Sequence, residues 1–140
     1  MPQSAFALER SIPSDVQYIE GIVAEVAAGC ATFDFPSHLM SLNVPVALTE
    51  ALANAILRGN GDDREKTVRI RVRVDDVQLV VEVVDEGKGF DLAACTRDPT
   101  TPDRLELEDG RGLFLMQRLV DRLEQYVDGG NVVRFTVRRT

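Results

Sequence analysis

The stretch that most limits the fold of this chain is TVRIRVRVDDVQLVVEVVD, residues 67–85. Val68, Ile70, Val72 and Val74 alternate with Arg69, Arg71 and Arg73. Successive side chains on a strand point to opposite faces, so a period of two gives one apolar face and one cationic face. Asp75 and Asp76 interrupt the pattern as a short turn, after which Val77, Leu79, Val81 and Val83 resume it. The pair reads as an antiparallel hairpin with one face buried and the other in water. The arginine row is then the solvated side of a sheet. Something else in the chain has to cover the apolar side.

The flanking segments supply helices. Residues 5–12, AFALERSI, partly alternate and predict a first strand. In the following SIPSDVQYIEGIVAEVAAG, Ser14 and Gln17 have the spacing of a capping box. Ile19, Ile22, Val23 and Val26 form one apolar stripe, and Gly29 is the expected stop. ATFDFPSHLMSLN, residues 31–43, reads as a loop with a short helical turn. Asn43 is placed to cap a second helix, with Pro45 in its first turn. Leu48, Ala51, Leu52, Ala55 and Ile56 make the buried face of that helix, and Gly59 ends it. Beyond the hairpin, residues 91–109 contain Pro99 and Pro102 and have no periodicity. So long a loop in a small domain is usually a lid, a binding loop or a disordered segment. GLFLMQRLVDRLEQ predicts a helix through Leu113, Met116, Leu119, Val120 and Leu123. DGGN is a turn, and VVRFTVRR a last strand with Val133, Phe135 and Val137 inward.

The order is strand, helix, helix, strand, strand, lid, helix, strand, strand. Such an order predicts an α+β fold: a two-layer α/β sandwich on a mixed, mainly antiparallel sheet, with helices on one face. Nothing in the 140 residues suggests a linker, so one domain over 1–140 is expected. With 44% hydrophobic and 28% charged residues, the balance is that of a globular protein. A formal net charge of -7 argues against direct binding of nucleic acid, which needs clustered Lys and Arg. No run approaches the ~18 to 20 apolar residues of a membrane span, and no secretion leader opens the chain. The cytoplasm is the expected compartment, with no membrane contact. Cys30 and Cys95 lack the spacing and histidine neighbours of a metal site and read as free thiols. His38, the one histidine, falls in the loop and has no catalytic context.

Three stretches carry chemistry. Glu50, Asn54 and Arg58 are four apart and share a helix face, with small Ala51, Ala53 and Ala55 around them. A carboxylate one turn from an amide oxygen can set a base beside a hard-metal ligand. Asp85 follows Val77, Leu79, Val81 and Val83 on the same strand face, so it sits at the edge of the core and needs a donor. Gly87 and Gly89 after it allow backbone to come close to a flat ring. Gly110 and Gly112 precede the last helix, where free N–H groups and the helix dipole suit phosphate oxygens. Taken singly, these are also a solvated helix face, a glycine turn and a hinge.

Taken in order, they resemble a known set. EALANAILRGN is similar to the N box, DEGKGFD to the G1 box and GRGLFLMQRLVD to the G2 box of the GHKL ATPase/kinase superfamily, whose fold is the Bergerat fold. Within it, the chain resembles anti-sigma factor serine/threonine kinases of the RsbW type. The resemblance implies ATP and Mg²⁺ as cofactors. It makes Glu50 the general base, Asn54 the Mg²⁺ ligand and Asp85 the acceptor for the adenine amino group. It places Gly87, Gly89 and Phe90 along the adenine pocket. Gly110, Arg111, Gly112 and Leu113 border the phosphates, and the ATP lid lies within 91–109. Arg58 stands where many relatives carry His, and keeps its positive charge at all relevant pH. Glu106, Glu108 and Asp109 precede the G2 glycines, where relatives often place a cation. The implied partners are a STAS-type anti-anti-sigma protein as substrate and a sigma factor, with a homodimer as the implied assembly. No histidine resembles a sensor-kinase phosphoacceptor, and the expected form is a stand-alone kinase. The alternative is a nucleotide-binding regulator that switches a partner without phosphotransfer.

Overall fold

The computed structural model describes residues 5–87 and 108–140, with residues 108–113 described by their backbone alone. Among the described residues there are five strands: β1 (Phe6–Pro13), β2 (Thr67–Val74), β3 (Gln78–Asp85), β4 (Arg122–Val127) and β5 (Asn131–Arg138). They form one sheet in the order β1-β2-β3-β5-β4, and every pairing is antiparallel. The α-helices among the described residues are α1 (Ile19–Cys30), α2 (Val44–Asn54) and α3 (Glu108–Leu119).

The alternation in β2 and β3 sorts side chains as the sequence predicts. Val68, Ile70, Leu79, Val81 and Val83 are buried beneath the helices, together with Val133, Phe135 and Val137 of β5. From the helix side, Ile22 and Val26 of α1 and Leu48, Leu52 and Ile56 of the α2 region close the core. The result is a two-layer α+β sandwich with one sheet face left open.

Helix α2 is the centre of a longer helical run. It is preceded by a wide π-type turn, Leu39–Asn43, and followed by another, Ala55–Gly59. Most of the segment read as a loop is therefore helical, and His38 lies at the start of this run. The run Leu39–Gly59 is 21 residues with mean hydropathy 1.3, so length and composition alone would suffice for a membrane span, against the sequence reading. Its apolar face is the core face, which accounts for the composition.

Two expected caps are placed differently. The first helical turn is capped by Asp15, whose Oδ1 accepts the Gln17 N–H at 3.1 Å, whereas Ser14 points inside and is completely buried. Asn43 makes no cap for α2. Its Nδ2 donates to the Leu119 carbonyl at 2.9 Å, satisfying one of the open carbonyls at the end of α3. Cys30, expected in a loop, is the last residue of α1 and is buried, which pushes its thiol up to about 11. Cys95 lies outside the described residues.

The largest departure is at the C-terminal side. The helical stripe predicts α3 through Leu123, but α3 stops at Leu119 and residues 122–127 form β4. β4 is the first of the two closing strands, ahead of β5. Asp121 enforces the break: its N–H donates to the Thr136 carbonyl at 2.9 Å, and its Oδ2 accepts the Arg138 N–H at 2.6 Å. Leu123 stays against the core, now opposite Phe135 across the ladder. The turn to β5 uses Gly129 at φ 69° and Gly130 at φ 143°, conformations that glycine adopts without steric cost.

Candidate functional site

On α2, Glu50 is half-buried and Asn54 is almost wholly buried. Asn54 Nδ2 donates to the Glu50 backbone carbonyl at 2.9 Å, which fixes the direction of its Oδ1. Ala51 and Ala55 do not make room for a ligand, since both are core residues that let the helix lie close on the sheet. Only Ala53 of the three is partly exposed. A shallow depression of about 270 Å³ lined by Pro45, Val46, Thr49 and Glu50 opens beside the carboxylate. Arg58 is half-buried in the closing π-type turn.

That turn brings the helix end onto the end of β3. Asn60 N–H donates to Ala55 O at 2.8 Å, a wide winding that carries Gly59 inward. Asp85, on the inward face of β3 as its strand period predicts, is 2% exposed and lies directly against Gly59. A Cβ at Gly59 would fall 2.1 Å from Asp85 Oδ2, so no other residue fits there without moving the carboxylate. A Cβ at Gly87 would fall 2.4 Å from the Gly59 carbonyl, which explains the glycine after Asp85-Glu86.

The Asp85 carboxylate is supported on both oxygens. Oδ1 accepts the Gly87 N–H at 2.7 Å, and Oδ2 accepts Asn131 Nδ2 at 3.0 Å. Asn131 is itself buried and is held by Gln125, whose Nε2 donates to its Oδ1 at 2.5 Å. Burial raises the Asp85 pKa, opposed by the bonds from Asn131 and Gly87 and by the charge of Lys66. A carboxylate oxygen has two acceptor positions, so each retains one for a further donor such as a ligand amine. This donor set suits an amino-substituted ring. Among the described residues, no three His, Cys, Asp or Glu side chains cluster as a metal site. The donor set near Glu50 suits a hard cation that brings most of its own oxygen ligands, with an amide oxygen from Asn54.

The structure thus joins Asp85 and Gly87 to the end of the helix that carries Glu50, Asn54 and Arg58. Gly89 and Phe90 lie outside the described residues, as do residues 91–107 of the expected lid. Gly110, Arg111, Gly112 and Leu113 lie within α3 rather than before it, because the helix starts at Glu108. The lid's expected last two residues, Glu108 and Asp109, belong to that first turn. Sequence reasoning takes Gly59 only as a helix stop and Ser14 only as a cap, and gives Asn60 and Asn131 no role of their own. A glycine ending a helix and an asparagine after a turn are ordinary signals; only the packing of β3 against β5 and the helix end gives them a role.

The helix that carries Glu50 and Asn54 thus ends in a glycine on which the buried strand-end carboxylate of Asp85 is seated. Residues 12–137 match the family model for the histidine kinase-like ATPase domain, and the chain belongs to that family. It is similar to the serine-protein kinase RsbW of Bacillus velezensis, with 31% identity over 142 residues covering 97% of this chain and 88% of the relative. The anti-sigma F factor of Clostridium botulinum is 30% identical over 99 residues, 70% of this chain and 68% of that relative. Among solved structures, the RsbU and RsbW domains of Rv1364c from Mycobacterium tuberculosis match with a TM-score of 0.67 at 15% identity over 95% of this chain. This chain spans about a third of that one, 32%, and the likeness is one of fold. The GHKL and RsbW-type resemblance seen in the three boxes therefore holds.

Proposed function

We propose that this protein is an ATP- and Mg²⁺-dependent protein serine/threonine kinase that acts as an anti-sigma factor. Its substrate is a STAS-type anti-anti-sigma protein, its second partner a sigma factor, and its setting a cytoplasmic partner switch. The observation that carries the reading is the seat of Asp85 against Gly59, which ties the strand end to the helix bearing Glu50 and Asn54. The names of the relatives supply the reaction class.

In this reading Asp85 accepts from the adenine amino group, and Gly87 and Gly89 let backbone approach the ring, with Phe90 beside it. Glu50 lies nine residues before Gly59, about 13 Å along a helix at ~1.5 Å per residue. That separation suits a base at the ring end and phosphates near Glu50. Asn54 Oδ1 would hold Mg²⁺, and the ion would supply charge neutralisation on the phosphates when bound. Gly110, Arg111, Gly112 and Leu113 border the phosphates from α3, and residues 91–109 act as the lid. Arg58 adds a permanent positive charge on the same helix face. Glu50 takes the proton of the substrate hydroxyl as its oxygen bonds to the γ-phosphorus and the bond to ADP breaks. Most of the rate effect comes from positioning and electrostatics.

Incubation with labelled ATP and the cognate STAS protein tests this. Phosphoprotein should form, and Glu50→Ala should slow it by at least about 100-fold, the usual contribution of a general base. Transfer that ignores Glu50→Ala overturns the assignment. ATP-dependent partner binding with no phosphoprotein identifies the non-catalytic switch instead. The homodimer that accompanies this reading is checked by light scattering.

A further inference from the structure

Asn60 is the first residue past the long helix, and it is 1% exposed. Its side chain uses all of its hydrogen-bonding groups on three other segments. Oδ1 accepts the Glu86 N–H at 2.7 Å, from the turn directly after β3. Nδ2 donates to Ser14 Oγ at 3.1 Å, beyond the end of β1, and to the Thr67 carbonyl at 3.0 Å, at the start of β2. Glu86 closes the circuit, because its Oε2 accepts the Thr67 N–H at 2.6 Å. Asn60, Thr67 and Glu86 therefore form a hydrogen-bonded ring. Ser14 braces it from outside through its own N–H to the Lys66 carbonyl at 3.0 Å.

The ring lies one residue from the Asp85 seat on both segments, the helix end and the strand end. Gly59 meets Asp85, and Asn60 meets Glu86. A carboxylate that recognises a ring amine has to be held within about 0.5 Å and 10–20° of its productive geometry. The bonds on the carboxylate itself fix its rotation. The height of Asp85 relative to the helix is fixed by the backbone link next to it. We propose that Asn60 is a positioning residue for base recognition: through the Glu86 N–H it sets where the Asp85 carboxylate stands, and so how strongly the site prefers a 6-amino purine to a 6-oxo purine. This rests on the reading of Asp85 as the adenine acceptor.

The test compares ATP with ITP, which carries an oxygen where ATP carries the amine. Binding and phosphotransfer are measured for the intact chain, Asn60→Ala and Ser14→Ala. Asn60→Ala should weaken ATP binding at least tenfold and ITP binding much less, shrinking the ATP-over-ITP preference. Its kcat at saturating ATP should fall less than threefold, because Glu50 and Asn54 are untouched. Ser14→Ala, which removes one acceptor from Asn60 Nδ2 but leaves the Asn60 bond to the Glu86 N–H in place, should keep the preference within threefold of wild type. A folded Asn60→Ala with unchanged preference, or with equal losses for both nucleotides, overturns the proposal. Should that variant not fold, amide exchange on the wild-type chain decides. The Glu86 N–H should be as protected as its neighbours in β3, and exchange at the rate of an open turn sinks the idea. Failure of wild type to bind ATP at all refutes the adenine reading itself, and this inference falls with it.

Discussion

Burial holds the Asp85 carboxyl above the ordinary value of 3.8, with the Asn131 and Gly87 donors opposing the rise. The folded chain therefore keeps this proton to higher pH than the unfolded chain does. Across the interval between the two pKa values the native state binds more protons, so stability falls as pH rises. The contribution is complete below the unfolded pKa and is lost as pH passes the folded one. An Asp85→Asn chain lacks this titration. The unfolding free energy of wild type minus that of Asp85→Asn should decrease from pH 4 towards pH 7 in urea titrations; a pH-independent difference contradicts the argument. In the proposed reading, the same variant exchanges an acceptor for a donor at the position of the adenine amine. Since a hydrogen bond to a charged group contributes about 1.5–3 kcal/mol, ATP affinity should fall roughly 10- to 100-fold, read by calorimetry.

At the scale of elements, the site is made where the end of one helix touches the end of one strand. Gly59→Ala tests that junction, since its Cβ would stand 2.1 Å from a carboxylate oxygen. Overpacking of this kind costs about 1–3 kcal/mol, and it should also weaken ATP binding by displacing Asp85. Leu52→Ala, deep in the same helix but remote in role, should cost about 2–5 kcal/mol in urea unfolding. Its ATP affinity should stay near wild type in the folded protein. The contrast also shows what the sequence could disclose. Leu48, Leu52 and Ile56 were legible as a stripe, and Asp85 as an inward residue, because period and face are local properties. β4 was hidden, since Leu119, Val120 and Leu123 suit a helix equally well and only pairing with β5 decides. The roles of Asn60 and Asn131 were hidden for a related reason. Their partners, Glu86 and Asp85, are 26 and 46 residues away, across contacts that no local pattern encodes.

Across the whole molecule, the two faces of the sheet do different work. The open face carries a row in register over all five strands: Glu9, Arg71, Glu82, Arg134 and Glu124. Arg71 Nε lies 3.5 Å from Glu82 and Arg134 Nε 3.7 Å from Glu124, and the Tyr126 hydroxyl donates to Glu82. Partly exposed pairs of this sort contribute at most about 1 kcal/mol each. Stability is therefore concentrated in the helix-covered layer, and the Asp85 seat closes one end of that layer. A ligand bound there must stabilise the fold as a whole. With Mg-ATP at about 100 times its dissociation constant, the unfolding free energy should rise by about 2.7 kcal/mol. Arg71→Gln, on the open face, should keep that increment even if its own baseline shifts. Asp85→Asn, binding 10- to 100-fold more weakly, should keep only about 0.4–1.4 kcal/mol of it at the same nucleotide concentration. Urea titrations of the three chains with and without Mg-ATP make the comparison. An increment that follows Arg71 rather than Asp85 would place the nucleotide on the wrong side of the sheet.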